Sequence, residues 1–254
     1  MEKKEIVLEV CCGSYEDAKE AECAGADRIE LNSALYLGGL TPSMGSVYRV
    51  KENLNIPVVA MVRPRGGGFF YSKEEYETML RDARLMLEQG VDGIAFGFLL
   101  ANHMIDVERT KNFIELIHFY HAEAVFHRAI DCTPDIMEAA ETLISLGVDR
   151  ILTSGGRKTA IDGQETITRL QKEYGGKVEI LPGSGLRALN AAEFIRATQV
   201  IQLHSSCRGW NTDVTGVAGD VSFGYESDGH ETDYEAVHAK TVKELKDTLK
   251  KELA

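Results

Sequence analysis

Two hydrophobic rhythms alternate along this chain. Short runs rich in Val, Ile, Leu and Phe fall near residues 6–11, 28–32, 57–63, 93–97, 123–129, 150–154, 178–182 and 200–205. Each ends in a polar or Gly-rich turn, so the pattern predicts eight buried strands. Between them apolar residues recur at helical spacing. The clearest case is 73–89, where Tyr76, Met79, Leu80, Ala83 and Leu87 form one stripe and Ser72 with Glu75 makes a capping box. Leu40-Thr41-Pro42-Ser43 predicts the start of the helix after the second strand. Thr133-Pro134 predicts the start of the helix after the fifth, with proline at the first helical position and Ile136, Ala140 and Leu143 following. Thr232 with Glu235 predicts the cap of a last helix carrying Val237, Leu245 and Leu249.

One joint is reused. Gly25-Ala26-Asp27-Arg28-Ile29, Gly90-Val91-Asp92-Gly93-Ile94 and Gly147-Val148-Asp149-Arg150-Ile151 each follow a helical pattern and run into an apolar strand. A glycine just past a helix takes the left-handed conformation that caps it. A repeated helix-to-strand joint, with strands roughly thirty residues apart, points to consecutive βα units. Eight such units in 254 residues predict an α/β fold, a single (β/α)8 TIM barrel over residues 1–254. A doubly wound open sheet is the alternative. It favours a Gly-rich phosphate turn after the first strand, and Cys11-Cys12-Gly13-Ser14 does not match one.

The net charge of −12 argues against a nucleic-acid partner. No apolar run approaches the roughly 18 residues of a membrane span. The start, Met1-Glu2-Lys3-Lys4-Glu5, lacks the apolar region of a secretory signal. Five cysteines without paired spacing read as reduced thiols rather than a disulfide framework.

In a barrel of this kind the working site forms at the C-terminal strand ends, and here those ends carry the chemistry. The period-two rule puts Glu9 on the same side as Cys11, Glu30 with Asn32, and Arg63 with Arg65. His127 and His204 face them. Glu9, His127 and His204 are therefore candidate acid/base groups. Arg63 and Arg65 suit a carboxylate or phosphate through the guanidinium fork. The turns Thr153-Ser154-Gly155 and Gly183-Ser184-Gly185 offer main-chain N–H groups to an anion. With Glu30, Asn32 and Ser205 they complete a candidate site for a small anionic ligand. A salt-bridge network that merely closes the barrel top is the structural alternative.

Cys11, Cys12, Cys132 and Cys207 all fall at strand ends, while Cys23 sits in the first helix as packing. The first and eighth strands are neighbours in a closed barrel, so Cys11 or Cys12 could approach Cys207. Soft thiolates select Cu(I), which makes Cys11, Cys12 and Cys207 candidate metal ligands. The Gly-rich segment 208–231, with Trp210, reads as a long mobile loop over the mouth.

These strand ends resemble the CutC family. The matching stretches are Leu8-Glu9-Val10-Cys11, Gly25-Ala26-Asp27-Arg28-Ile29-Glu30-Leu31, Gly38-Gly39-Leu40-Thr41-Pro42-Ser43, Arg63-Pro64-Arg65-Gly66-Gly67, Phe126-His127-Arg128-Ala129, Leu152-Thr153-Ser154-Gly155 and His204-Ser205-Ser206, in order. The tail beyond about Cys207 is poorly covered. The resemblance implies a cytoplasmic (β/α)8 barrel that assembles as a homo-oligomer and takes part in copper homeostasis. It implies Cu(I) as ligand, with Cys11 matching the family's cysteine pattern. The family often has cysteine where this chain has Asn32, and aspartate where it has Gly68. On the residues alone, an enzyme acting on a small phosphate or carboxylate is the competing reading.

Overall fold

The computed structural model describes residues 6–225 and 229–252. The expected strands and the helices between them form in the order β1 (Val7–Cys12), α1 (Tyr15–Cys23), β2 (Arg28–Leu31), α2 (Met44–Asn53), β3 (Val58–Met61), α3 (Lys73–Glu88), β4 (Gly93–Phe96), α4 (Val107–Phe119), β5 (Glu123–Phe126), α5 (Ile136–Leu146), β6 (Arg150–Thr153), α6 (Gln164–Tyr174), β7 (Glu179–Pro182), α7 (Ala188–Thr198) and β8 (Gln202–Ser205). All neighbouring pairs are parallel, and the hydrogen-bonded order runs β7-β6-β5-β4-β3-β2-β1-β8. β8 pairs with β1, and β7 touches β8. The sheet therefore curls into a (β/α)8 TIM barrel, closed except for a ladder at one joint.

The repeated joint explains how successive units dock. Gly25, Gly90 and Gly147 have φ of +88°, +76° and +89°, the left-handed exit that a glycine permits. The aspartate two residues later then reaches back to the preceding strand. Asp27 Oδ2 accepts from Leu8 N at 2.7 Å, Asp92 Oδ2 from Val58 N at 2.8 Å, and Asp149 Oδ2 from Ala124 N at 2.8 Å. In each case the aspartate's own N–H donates to the carbonyl of that same residue. One aspartate thus satisfies both the N–H and the C=O of a residue at the start of the preceding strand.

Two layers fill the molecule. Between sheet and helices lies the apolar core, including Leu8, Ile29, Ile94, Phe96, Phe113, Phe126, Ile151 and Phe194. Inside the barrel the apolar part is small: Val59, Met61, Ala95 and Val125, from β3, β4 and β5. Leu152 of β6 also lines the interior, and much of the rest is ionic. Arg28 donates to Glu9 and, at 2.8 Å, to Gln202. Buried Arg150 bridges Glu123 at 2.8 Å and Glu179 at 2.7 Å. The paired charges replace the layers of branched apolar side chains usual in such barrels, and pairing is what makes their burial tolerable.

Several boundaries differ from expectation. The helix after β2 starts at Met44, capped by the Ser43 hydroxyl, so Pro42 stands just outside it. The helix after β5 starts at Ile136 with Asp135 as cap, which leaves Pro134 before it and not at its first turn. Thr133 instead closes a short 3₁₀ turn, Arg128–Cys132. Residues 208–231 are not all loop: β9 (Arg208–Thr212) and the small hairpin β10 (Val217–Ala218) and β11 (Val221–Ser222) lie within them. β9 pairs antiparallel with β12 (Asp233–Val237), where the helix cap was expected. Val237 belongs to that strand, and the last helix, α8, runs Ala239–Glu252 with Leu245 and Leu249 buried. Asp233-Tyr234-Glu235-Ala236-Val237 alternates, and its ladder partners supply the backbone bonds that no helix here would. Cys23 is exposed at the end of α1, not packed.

Candidate metal centre and its cavity

The C-terminal mouth opens into a cavity of about 610 Å³. Its walls include Cys11, Glu30, Arg63, Phe69, His127, His204 and Ser205, with Met61 and Leu152 among its apolar lining. Arg208, Glu235, Ala236 and Val237 also line it, so the β9–β12 ribbon covers one side of the mouth. Asp17 ties that ribbon down: its carboxylate accepts from Val237 N and from Gly13 N, both at 2.8 Å.

Three neighbouring strands build the centre. Cys11 lies opposite Glu30 in the β1–β2 register, and Glu9 opposite His204 in the β1–β8 register. Alternation along β1 brings both pairs to the inside. One ligand atom each from Cys11, Glu30 and His204 then lies within 4.8 Å of the others. The Cys11 thiol donates to Glu30 Oε2 at 3.8 Å. Asn32 Nδ2 donates to the same carboxylate oxygen at 2.9 Å and to Cys11 Sγ at 3.5 Å. Glu30 Oε1 is buried without a partner among the described residues.

Glu9 is spent behind this centre. Its carboxylate takes the Arg28 guanidinium and, at 2.8 Å, Nδ1 of His204. Burial disfavours the ionised form, yet the His204 bond and the Arg28 charge outweigh it, and the pKa falls to about 2. A carboxylate held this way is no free base; it orients His204 and leaves Nε2 as the nitrogen able to bind a ligand. A carboxylate behind a ligating imidazole is the usual support of a metal-binding histidine. His204's own pKa is raised, because Glu30 and Glu9 overcome the cost of burial. Burial, with Glu30 beside it, pushes the Cys11 thiol well up, and burial likewise raises Glu30.

Other expected residues go elsewhere. Arg65 does not face the mouth. β3 ends at Met61, so alternation no longer relates Arg65 to Arg63. The Arg65 guanidinium instead binds Glu75 in the capping box of α3 and the carbonyls of Gly66, Gly68 and Phe70. The turn Thr153-Ser154-Gly155 offers no cradle, because Asp131 fills it. That carboxylate accepts from Thr153 Oγ1, Ser154 N, Ser154 Oγ and Gly156 N, while Gly155 N donates to Thr153 Oγ1. Gly183 N is used by Thr153 O; Gly185 and Ser205 do line the cavity.

Cys12 and Cys207 are not in the centre. Cys12 points away from Cys11, into the core between sheet and helices, and Cys207 is buried in the same core. Cys207 follows the end of β8 with φ of +43°, and it lies three residues, an odd step, beyond inward-facing His204. Burial raises the Cys12 thiol well up and the Cys207 thiol to about 11. His127 reaches the wall but not as a base. Its Nδ1 accepts from Ala129 N at 3.2 Å, so Nε2 carries the proton. Burial, and then Arg63's charge, hold its pKa at about 3. The sequence reading missed Asp131 as turn filler, Arg28 and Arg150 as interior cations, and Asp17 as the ribbon's anchor. Only Asp17 gave a signal, an aspartate three residues past the Ser14 cap.

The fold and the centre define a class: a (β/α)8 barrel with a sulfur, imidazole and carboxylate donor set at its mouth. The family model described as "CutC family" matches residues 6–209. The chain is 50% identical over 201 residues to a CutC family protein of Treponema denticola, covering 79% of this chain and 81% of that one. It is 42% identical over 203 residues to a human protein named copper homeostasis protein cutC homolog, covering 80% and 74%. CutC of Streptococcus agalactiae superposes with TM-score 0.75 at 30% identity, covering 79% of this chain and 98% of that one. The chain belongs to the CutC family. A 3-hexulose-6-phosphate synthase from Salmonella typhimurium superposes with TM-score 0.63 at 13% identity, covering 97% of this chain and 100% of that one, which shows the shared barrel alone.

Proposed function

We propose that this protein serves copper homeostasis by holding Cu(I) at the barrel mouth, between the Cys11 thiolate and Nε2 of His204, with Glu30 beside them. The observation that carries this reading is the clustering of the three donor atoms within 4.8 Å, next to a carboxylate that fixes the histidine. The donors fit the ion. A thiolate and an imidazole are soft or borderline ligands, which Cu(I) prefers. Two protons must leave when the ion binds: that of the thiol, from which Glu30 Oε2 already accepts, and that which the raised pKa of His204 favours on Nε2. Asn32 occupies the place of a further thiol and supports the pair through Nδ2 instead.

With this reading go reduced thiols in the cytoplasm, one barrel spanning the chain, and self-association of copies. Among the described residues no helix is long and apolar enough to cross a membrane. The test is a competition titration of reduced protein against a chromogenic Cu(I) chelator. Cys11→Ser and His204→Ala are expected to lose most of the affinity, while Cys12→Ser and Cys207→Ser keep it. Affinity that follows Cys12 or Cys207, or that survives loss of Cys11 and His204 together, overturns the proposal.

A further inference from the structure

The thiol, carboxylate and imidazole of the copper reading lie on the β1, β2 and β8 side of the cavity. The wall contributed by the segments after β3 and β5 has a chemistry of its own. Arg63 is buried, 6% exposed, and among the described residues pairs with no carboxylate. Its guanidinium is held by main-chain carbonyls, Nη1 by Leu37 and Gly39 at 2.8 and 3.0 Å and Nη2 by Gly67 at 2.7 Å, and it stands beside the buried Tyr71 hydroxyl, a neutral group. Its Nε is buried without a partner among the described residues, and so is Nε2 of His127. The Phe69 ring stands beside both, 5.3 Å from the Arg63 guanidinium carbon and 4.9 Å from the His127 ring centre. All three side chains line the cavity. Gly97 leaves the room His127 needs, since a Cβ there would sit 2.5 Å from the ring.

A buried cation with no anion and a buried N–H with no acceptor both cost stability unless something completes them. One anion that also carries a neutral oxygen completes both. We propose that the Arg63–Phe69–His127 wall is a subsite for a small carboxylate with an adjacent carbonyl or hydroxyl oxygen. The carboxylate meets the guanidinium, whose planar edge matches it. The neighbouring oxygen accepts from His127 Nε2–H. The imidazole is neutral, so the wall carries one full positive charge and suits a single negative charge. The N–H groups after β6 that would cradle a phosphate are already taken by Asp131 and Thr153.

The subsite needs no metal and no thiol, so it stands or falls apart from the copper reading. The test uses the full chain, reduced and metal-free, with pyruvate and glycolate as probes. Inorganic phosphate and hydroxyacetone, which lacks the carboxylate, serve as comparisons. Nitrogen–proton NMR follows the His127 Nε2–H. A saturable shift with pyruvate or glycolate is expected, with affinity lowered about tenfold in His127→Phe, as for one lost hydrogen bond. Cu(I) affinity of His127→Phe is expected to equal that of the parent. No saturable shift with either probe, an equal response to hydroxyacetone, a response to phosphate alone, or unchanged affinity in His127→Phe overturns the proposal.

Discussion

His204 and His127 are both buried imidazoles, and their neighbours push them in opposite directions. His204 faces two carboxylates and is raised; for His127, burial and the charges of Arg63 and Arg128 outweigh a main-chain hydrogen bond and lower it to about 3 from an ordinary 6.5. The second shift has a consequence for stability. Between those two values the unfolded chain takes up a proton that folded His127 refuses, so stability falls as pH drops through that window. His127→Gln removes this contribution. Urea unfolding followed across the same window should show a shallower pH dependence for the variant than for the parent. Identical slopes would mean that the buried imidazole titrates normally. Arg65→Ala is expected to leave Cu(I) affinity unchanged and to weaken the start of α3, because its guanidinium serves Glu75; a loss of Cu(I) affinity in a titration would contradict this.

Among the elements, the aspartate of the repeated joint does the docking. Asp92→Ala strips the acceptor from Val58 N, and an orphaned main-chain N–H costs about 1–3 kcal/mol. Chemical denaturation should register a loss of that size, and a change within error would remove the aspartate's role. Asp17→Ala is expected to orphan Val237 N and Gly13 N and so loosen the ribbon; faster proteolytic cutting between 208 and 237 would report it, and parental resistance would count against it. The joints were readable from sequence because glycine, aspartate and the strand onset are local. The aspartate's partner was not, because Val58 and Asp92 are 34 residues apart. The same distance problem hid β12: its partner β9 lies across an intervening hairpin, and Thr232 with Glu235 imitates a helix cap.

For the molecule as a whole, barrel closure makes the site. Once eight βα units close, β1 has β2 and β8 as neighbours, and alternation alone brings Glu9, Cys11, Glu30 and His204 together. That much is legible in the sequence. Alternation failed where a strand stops, past Met61 for Arg65. For Cys207 it was strand adjacency that misled: three residues beyond inward His204, this thiol falls on the outer face, in the core between sheet and helices. It also says nothing of a filled turn, since Asp131 reaches Ser154 and Gly156 from another loop. The ionic interior around Arg28 and Arg150 fixes Glu9, and Glu9 fixes His204, so the donor set rests on the whole barrel rather than on one strand.

The most direct measurement is copper-edge X-ray absorption on the Cu(I)-loaded, reduced protein. A first shell with one sulfur and one imidazole nitrogen, losing the sulfur in Cys11→Ser and the nitrogen in His204→Ala, is the result this structure leads to. A shell of two sulfurs, or one unchanged by both substitutions, would place the ion elsewhere.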